Sequence, residues 1–254
     1  MKAVILAGGF GTRLSEETMN HPKPMVRIGE RPIIWHIMKM FEFFGVNEFI
    51  VCCGYKGYVL KEYFANYYLH NSDFTIDLKS NTTEILSKQS EDWKITLVDT
   101  GINTSTGGRL KRVQHLIEDT FMMTYGDGVS DVNLRDLIQF HKQHGRHATV
   151  TAVQPPGRFG SIEFDGNKIS DFAEKTRENA GWINGGFFVL EPNVFDRIAG
   201  DNIAWEAEPL HSLVRDEQLV AYKHSGFWKP MDTMRDKASL EEAWETGNAA
   251  WKRW

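Results

Sequence analysis

The chain has 254 residues, a net charge of −5 at pH 7, 41% hydrophobic and 25% charged residues, the make-up of an ordinary globular protein of one large domain, or one domain with an insertion. The acidic balance argues against a nucleic-acid or anionic-membrane surface, while a small anionic ligand stays open because local Arg and Lys decide that. No apolar run is long enough to cross a bilayer, and the opening MKAVILAGG is too short for a signal peptide.

Taken in order, Val4–Leu6 reads as a buried first strand that ends in a glycine cluster, Gly8, Gly9 and Gly11, followed by Thr12 and Arg13. Such a turn offers backbone N–H groups, a hydroxyl donor and a guanidinium fork to a phosphate. A tight corner is the plainer reading, but Lys23, held between Pro22 and Pro24, adds a second cation. The dinucleotide fingerprint fails because Leu14 stands where a small residue is needed, and a Walker-type loop fails because Arg13-Leu14 replaces Gly-Lys.

Arg31–Phe44 is patterned as a helix with Pro32 in its first turn, stopped by Gly45. Glu48–Cys53 is an apolar strand. Its adjacent cysteines, Cys52 and Cys53, point to opposite faces, so neither a disulfide nor a zinc site is expected, and buried reduced thiols of a cytoplasmic protein are. Gly57–Tyr68 is a helix, Phe74–Leu78 a strand that Thr82–Gln89 could pair, Lys94–Asp99 a strand, Arg109–Ile117 a helix, Phe121–Tyr125 a central strand, and Leu134–His144 a helix closed by Gly145. Then come a strand at His147–Val153, a hairpin at Phe159–Phe172, a strand at Trp182–Leu190, short helices at Asn193–Ile198 and Trp205–Val214, extended chain at Leu219–Lys223 and Gly226–Met231, and a helix at Met234–Trp244. The alternation predicts an α/β fold with a parallel sheet and helices on both faces. The chain divides loosely into 1–145 and 146–254.

In such a sheet the ligand lies beyond the carboxyl ends of the strands. Four features fall there: Gly8–Arg13, the loop Thr104–Arg109, Gly126-Asp127-Gly128, and Lys229–Thr233 with Asp232. Asp127 reads as a turn aspartate or a carboxylate aimed at magnesium, and Asp232 as a helix N-cap or the second carboxylate.

The strings LAGGFGTRL and, with His21 in place of the family's lysine, HPKPM resemble the pyrophosphorylase motif of the sugar-phosphate nucleotidyltransferases. TGGRLKR, YGDG, INGGFF and PMDT extend the resemblance over nearly the whole chain. Where most members have a proline-containing stretch, Ser15-Glu16-Glu17-Thr18 is similar to the glucose-1-phosphate cytidylyltransferase branch. The resemblance implies a Rossmann-like, mixed but mostly parallel sheet with a small β/α sugar-binding and assembly region, so that 1–145 is the nucleotide-binding half and 146–254 the sugar-phosphate-binding and assembly half. It implies transfer of the cytidylyl group of CTP to glucose 1-phosphate, with Mg²⁺, in a homo-oligomer, hexameric by the branch.

Matched residue by residue, the family pattern puts nucleotide binding at Leu6, Ala7, Gly8, Gly9, Gly11, Thr12, Arg13, Lys23, Thr104, Arg109 and Gly126, metal binding at Asp127 and Asp232, and sugar-phosphate binding at Gly160, Glu174, Lys175 and Asn184. Arg13, Lys23 and Asp127 would be catalytic. The sugar-phosphate oxygen is already an anion and needs no general base, so charge neutralisation and in-line positioning carry the reaction. Arg13 would hold the β- and γ-phosphates, and Lys23 the α-phosphate. Arg109 would donate to O2 and N3 of cytosine, or else lie on a helix face beside Lys111 and Arg112. Tyr125 and Trp228 either flank the sugar or belong to the core. A uridylyl- or thymidylyltransferase, an inactive nucleotide-binding paralogue and a Rossmann oxidoreductase are the alternatives. The aromatic tail from Trp244 to Trp254 reads as an apolar patch for a neighbouring subunit.

Overall fold

In the computed structural model, which describes residues 1–87, 90–155, 161–165, 168–173 and 181–254, strand β1 (Lys2–Ala7) runs through the middle of a seven-stranded sheet. Its side chains alternate. Ala3, Ile5 and Ala7 enter one core, Val4 and Leu6 the other, as expected of a strand covered on both faces. Next come α1 (Ser15–Thr18), β2 (Arg27–Ile28), β3 (Arg31–Pro32), α2 (Ile33–Phe43), β4 (Glu48–Cys53), α3 (Gly57–Ala65) and α4 (Tyr67–His70). A largely exposed hairpin, β5 (Phe74–Asp77) and β6 (Thr82–Ile85), precedes β7 (Lys94–Asp99), α5 (Thr106–Arg112), β8 (Phe121–Tyr125), β9 (Gly128–Ser130) and α6 (Leu134–His144). The rest is β10 (Ala148–Val153), β11 (Ser161–Asp165), β12 (Lys168–Ala173), β13 (Ile183–Leu190), α7 (Glu208–Arg215), β14 (Leu219–His224), β15 (Trp228–Pro230) and α8 (Met234–Glu245).

The main sheet has the order β14-β10-β13-β8-β1-β4-β7. β8, β1, β4 and β7 are parallel, as are β10 and β14, while β13 runs antiparallel to both its neighbours. The sheet is therefore mixed and mostly parallel, as the resemblance implied, where the alternation alone predicted a parallel one. Leu60 of α3, Leu134 and Leu137 of α6 and much of α2 fill one core; Leu110 of α5 and Leu213 of α7 fill the other. Cys52 and Cys53 go to opposite cores as free thiols, and burial raises the pKa of both.

Several boundaries differ from expectation. α2 starts only after Pro32, whose backbone is extended. The segment predicted as one helix, Gly57–Tyr68, breaks into α3 and α4 at Asn66. α5 starts at Thr106, three residues before the predicted helix, and ends at Arg112. Its glycines, Gly107 and Gly108, are poor helix formers. They lie so close to residues 201–205 that a Cβ would come within 2.6 Å of the Ile203 carbonyl oxygen and 2.3 Å of that of Asp201.

The aromatic tail is a correction in kind. Trp251 is wholly buried in the core rather than offered to a neighbour, and Trp244 and Trp254 pack beside it. Trp244 and Trp251 stack, and their edges or faces meet the His36 ring. His36 donates from Nε2 to the Ile28 carbonyl (2.9 Å) and accepts from Trp251 Nε1 at Nδ1 (3.4 Å), the tautomer that serves both partners. Apolar area that would be costly to expose is thus spent within the chain.

Candidate active site

β1 delivers the glycine turn to the carboxyl edge of the sheet. Gly11 adopts the left-handed conformation (φ 65°), which glycine accepts without strain, and Thr12–Leu14 coil into a single 3-10 turn. Pro22 holds extended backbone ahead of a second such turn, Lys23–Met25. These segments face a cavity of about 610 Å³. Leu6, Ala7, Gly8, Gly9, Gly11, Thr12, Arg13, Lys23, Thr104, Arg109, Gly126 and Asp127 all line it, so the sheet gathers every predicted nucleotide-side residue at one place.

A separate two-stranded ribbon builds the acidic side. β9 and β15 pair antiparallel with Gly128 opposite Pro230, and the Met231 N–H donates to the Asp127 carbonyl at 2.8 Å. Asp127 and Asp232, far apart in sequence, therefore arrive together. Lys23 Nζ donates to Asp127 Oδ2 and to Asp232 Oδ1, each at 2.6 Å, and Arg13 Nη1 lies 2.8 Å from Asp232 Oδ2. Asp232 is not the cap of α8. Thr233 is, through a reciprocal capping box with Asp236, which leaves the Asp232 carboxylate to Lys23 and Arg13. Burial by itself would lower the Lys23 pKa, but the two carboxylates outweigh it and raise it, so the ammonium is charged at neutral pH. Two cations and two anions thus neutralise one another. Arg13 remains largely exposed while Lys23 is nearly enclosed.

Arg109 is a buried residue of α5, not a free helix-face arginine. Its guanidinium fills the space where a Cβ on Gly8 would sit, 2.2 Å from Nη1. Nη1 donates to the Gly101 carbonyl (2.7 Å), Thr100 Oγ1 (2.9 Å) and the Cys53 carbonyl (3.3 Å), and Nη2 to the Ile102 carbonyl (3.2 Å). Arg109 therefore ties the ends of β4 and β7 together under the glycine turn. A guanidinium has five N–H donors, so this network leaves Nε–H and an Nη2–H over.

Asn184, expected to bind the sugar phosphate, lines a small cleft with Tyr125, Asp127, Gly185, Gly186 and Trp228. Trp228 is anchored there by Nε1 donating to the Gly185 carbonyl at 2.6 Å. Gly160, Glu174 and Lys175 lie outside the described residues. The cavity also has lining residues outside the predicted site features, among them Ile102, Asn103, Ala204 and Glu206. Glu206 was hidden because Trp205–Val214 was read as helix. α7 begins only at Glu208, and residues 201–206 instead run along the start of α5, with Ser105 N–H donating to the Asp201 carbonyl and Gly108 N–H to that of Ile203.

Glycine backbone, an exposed guanidinium and an enclosed ammonium on one cavity, with two carboxylates paired to those cations, suit charge neutralisation around phosphate groups, and no proton-transfer dyad is needed for that. The comparisons agree. A family model described as nucleotidyl transferase matches residues 2–229. The chain is 56% identical to the glucose-1-phosphate cytidylyltransferase of Salmonella typhi, over the whole of both chains, and 45% identical, again over both whole chains, to the probable glucose-1-phosphate cytidylyltransferase of Bacillus subtilis. The crystal structure of HddC from Yersinia pseudotuberculosis superposes with a TM-score of 0.69 at 22% identity, covering 96% of this chain and 99% of that one, which shows a shared fold. With the motif residues assembled on one cavity and the family matched over nearly its whole length, this chain belongs to the nucleotidyl transferase family and is a nucleotidyltransferase enzyme.

Proposed function

We propose that the chain transfers the cytidylyl group of CTP to α-D-glucose 1-phosphate, forming CDP-glucose and releasing pyrophosphate. The observation that carries this reading is the convergence of Arg13, Lys23, Asp127 and Asp232 beside the glycine turn; the full-length likeness to relatives of that name supports the two substrates.

In this reading the cations are exchangeable. Lys23 and Arg13, now occupied by carboxylates, turn to the α-phosphate and to the departing β- and γ-phosphates. The backbone of Gly8–Gly11 and the Thr12 hydroxyl hold the triphosphate in line. The anionic sugar phosphate attacks the α-phosphorus, the P–O bond to pyrophosphate breaks, and no proton need move. The residues present fit Mg²⁺. Asp127 and Asp232 each present an oxygen to one ammonium, and among the described residues no third His, Cys, Asp or Glu joins them, a donor set that suits a hard cation sharing phosphate oxygens and water. When bound, the cation supplies charge neutralisation between the two phosphate groups.

Arg109 keeps its role as the cytosine reader in this proposal, through the donors its backbone clamp leaves over. Asn184, with Gly160, Glu174 and Lys175, binds glucose 1-phosphate, so that 1–145 serves the nucleotide and 146–254 the sugar phosphate. Assembly as a homo-oligomer, a hexamer by the branch, then uses surfaces other than the inward-folded tail. Among the described residues no helix is long and apolar enough to cross a membrane. A cytoplasmic place suits the two free buried thiols.

A panel of nucleoside triphosphates with glucose 1-phosphate, with and without Mg²⁺, tests the reading. CDP-glucose formation with CTP, strictly dependent on the cation, is expected. Equal turnover with UTP would sink the base assignment.

A further inference from the structure

Glu206 places a carboxylate on the wall of a cavity otherwise suited to a polyanion. Such a charge repels phosphate and weakens binding unless it meets donors of the ligand. The chain orients it with neutral hydroxyls. Thr106 Oγ1 donates to Oε2 at 2.6 Å, and the Tyr125 hydroxyl donates to Oε1. Thr106 is itself held by the Trp205 N–H (2.9 Å), and the Tyr125 oxygen receives Asn184 Nδ2 at 3.4 Å. Between a phenol and a carboxylate the phenol is the donor, so the bond runs from the Tyr125 hydroxyl to Glu206. Each carboxylate oxygen has a further lone pair, and the residue is exposed.

The sheet order indicates which donors come to it. Arg109 sits over the ends of β4 and β7, by its bonds to Cys53, Thr100, Gly101 and Ile102. Asn184, on the sugar side, belongs to β13. Glu206 hangs from Tyr125, the last residue of β8, and from Thr106, the first residue of α5. Thr106 and Arg109 stand about one helical turn apart on α5, and Glu206 and Arg109 line the same cavity as the glycine turn, so a short interval of cavity wall separates the two sites. A nucleotide whose base is at Arg109 and whose phosphates are at the glycine turn and Lys23 spans that interval with its ribose.

We infer that Glu206 is the ribose-binding carboxylate, accepting hydrogen bonds from the vicinal 2′- and 3′-hydroxyls and so selecting ribonucleotides over deoxyribonucleotides. This rests on the proposed nucleotidyl transfer and deepens it.

The test compares kcat/KM, and calorimetric Kd without glucose 1-phosphate, for CTP, 2′-deoxy-CTP and 3′-deoxy-CTP in the wild type, Glu206→Gln and Glu206→Ala. The wild type should favour CTP by about tenfold or more, the worth of a hydrogen bond to a charged acceptor. Glu206→Ala should bring the ratio close to one by weakening CTP alone, with Glu206→Gln between, while the CTP-to-UTP ratio and the KM for glucose 1-phosphate stay put. A wild type blind to the ribose, or a preference kept in Glu206→Ala, would overturn the inference. So would an equal loss for CTP and its deoxy forms, which a merely structural role predicts. A shift confined to the CTP-to-UTP ratio would reassign Glu206 to the base, and one confined to glucose 1-phosphate would reassign it to the sugar; either refutes the ribose role. Should the wild type use another nucleoside triphosphate instead of CTP, the proposed reaction fails, and the same comparison with that nucleotide's deoxy forms still decides Glu206.

Discussion

Two clusters join the first residues of the chain to the last, and they treat buried polar groups in opposite ways. Around Lys23 an N-terminal ammonium meets Asp127 and Asp232, and the cluster opens onto a cavity. Around His36 an N-terminal imidazole meets Trp244, Trp251 and Trp254, and the cluster is closed. Lys23 stays charged because carboxylates offset its burial. His36 stays neutral because burial, against the help of backbone hydrogen bonds, lowers its pKa to about 4. Both are perturbed, so perturbation alone does not mark function. What separates them is whether the partners can be exchanged. Ionic partners beside a cavity can be traded for phosphate and metal, whereas an imidazole with both nitrogens satisfied among indole rings has nothing to trade.

The comparison can be broken where its effects are largest. Trp251→Ala should destabilise the fold by about 3–5 kcal/mol, read by denaturant unfolding, while leaving the CTP-to-UTP ratio of the remaining folded enzyme as in the wild type. A changed ratio would mean the closed cluster reaches the site. Asp127→Asn should do the reverse, lowering kcat/KM by about 10²–10³-fold with a smaller change in unfolding free energy than the tryptophan variant shows. Wild-type-like turnover would remove Asp127 from the metal pair.

His36 carries the next effect. Above pH 6.5 the imidazole is neutral in folded and unfolded chains alike, so its contribution to stability does not vary with pH there. Below 6.5 the unfolded chain takes up a proton that the folded chain refuses until about pH 4. Stability should therefore fall through that window, by about 3 kcal/mol at most. Unfolding free energies of wild type and His36→Gln between pH 7 and 4 measure it, since the variant should lose this part of the slope. The smallest effect sharpens the assignment of Asp232. Thr233→Ala should cost about 1 kcal/mol of stability by removing the α8 cap, and Asp232→Ala should not reproduce that capping loss in the helix signal. An equal loss of helix in both would return Asp232 to the capping role.

Much of this was legible beforehand. β4, β7, β8 and α6 match their predicted bounds residue for residue, because continuous or alternating apolar runs, and for α6 a closing left-handed Gly145, are local signals. The start of α5 was not legible, since Gly107 and Gly108 suggest a loop until the chain at 201–205 is seen packed against them. The place of Glu206 was lost to the same long-range contact, and the burial of Trp251 to its pairing with His36, 215 residues away.

The sequence by itself determined the glycine turn and the cast of charged residues, because glycine, proline and guanidinium chemistry act over a few neighbouring positions. Only the tertiary structure decided that Asp127 and Asp232 converge on one ammonium, that Arg109 clamps the turn from beneath, that the tail folds inward and that a carboxylate faces the cavity at Glu206. Those facts depend on strand order and on the β9–β15 ribbon, which bring together residues that no local pattern links.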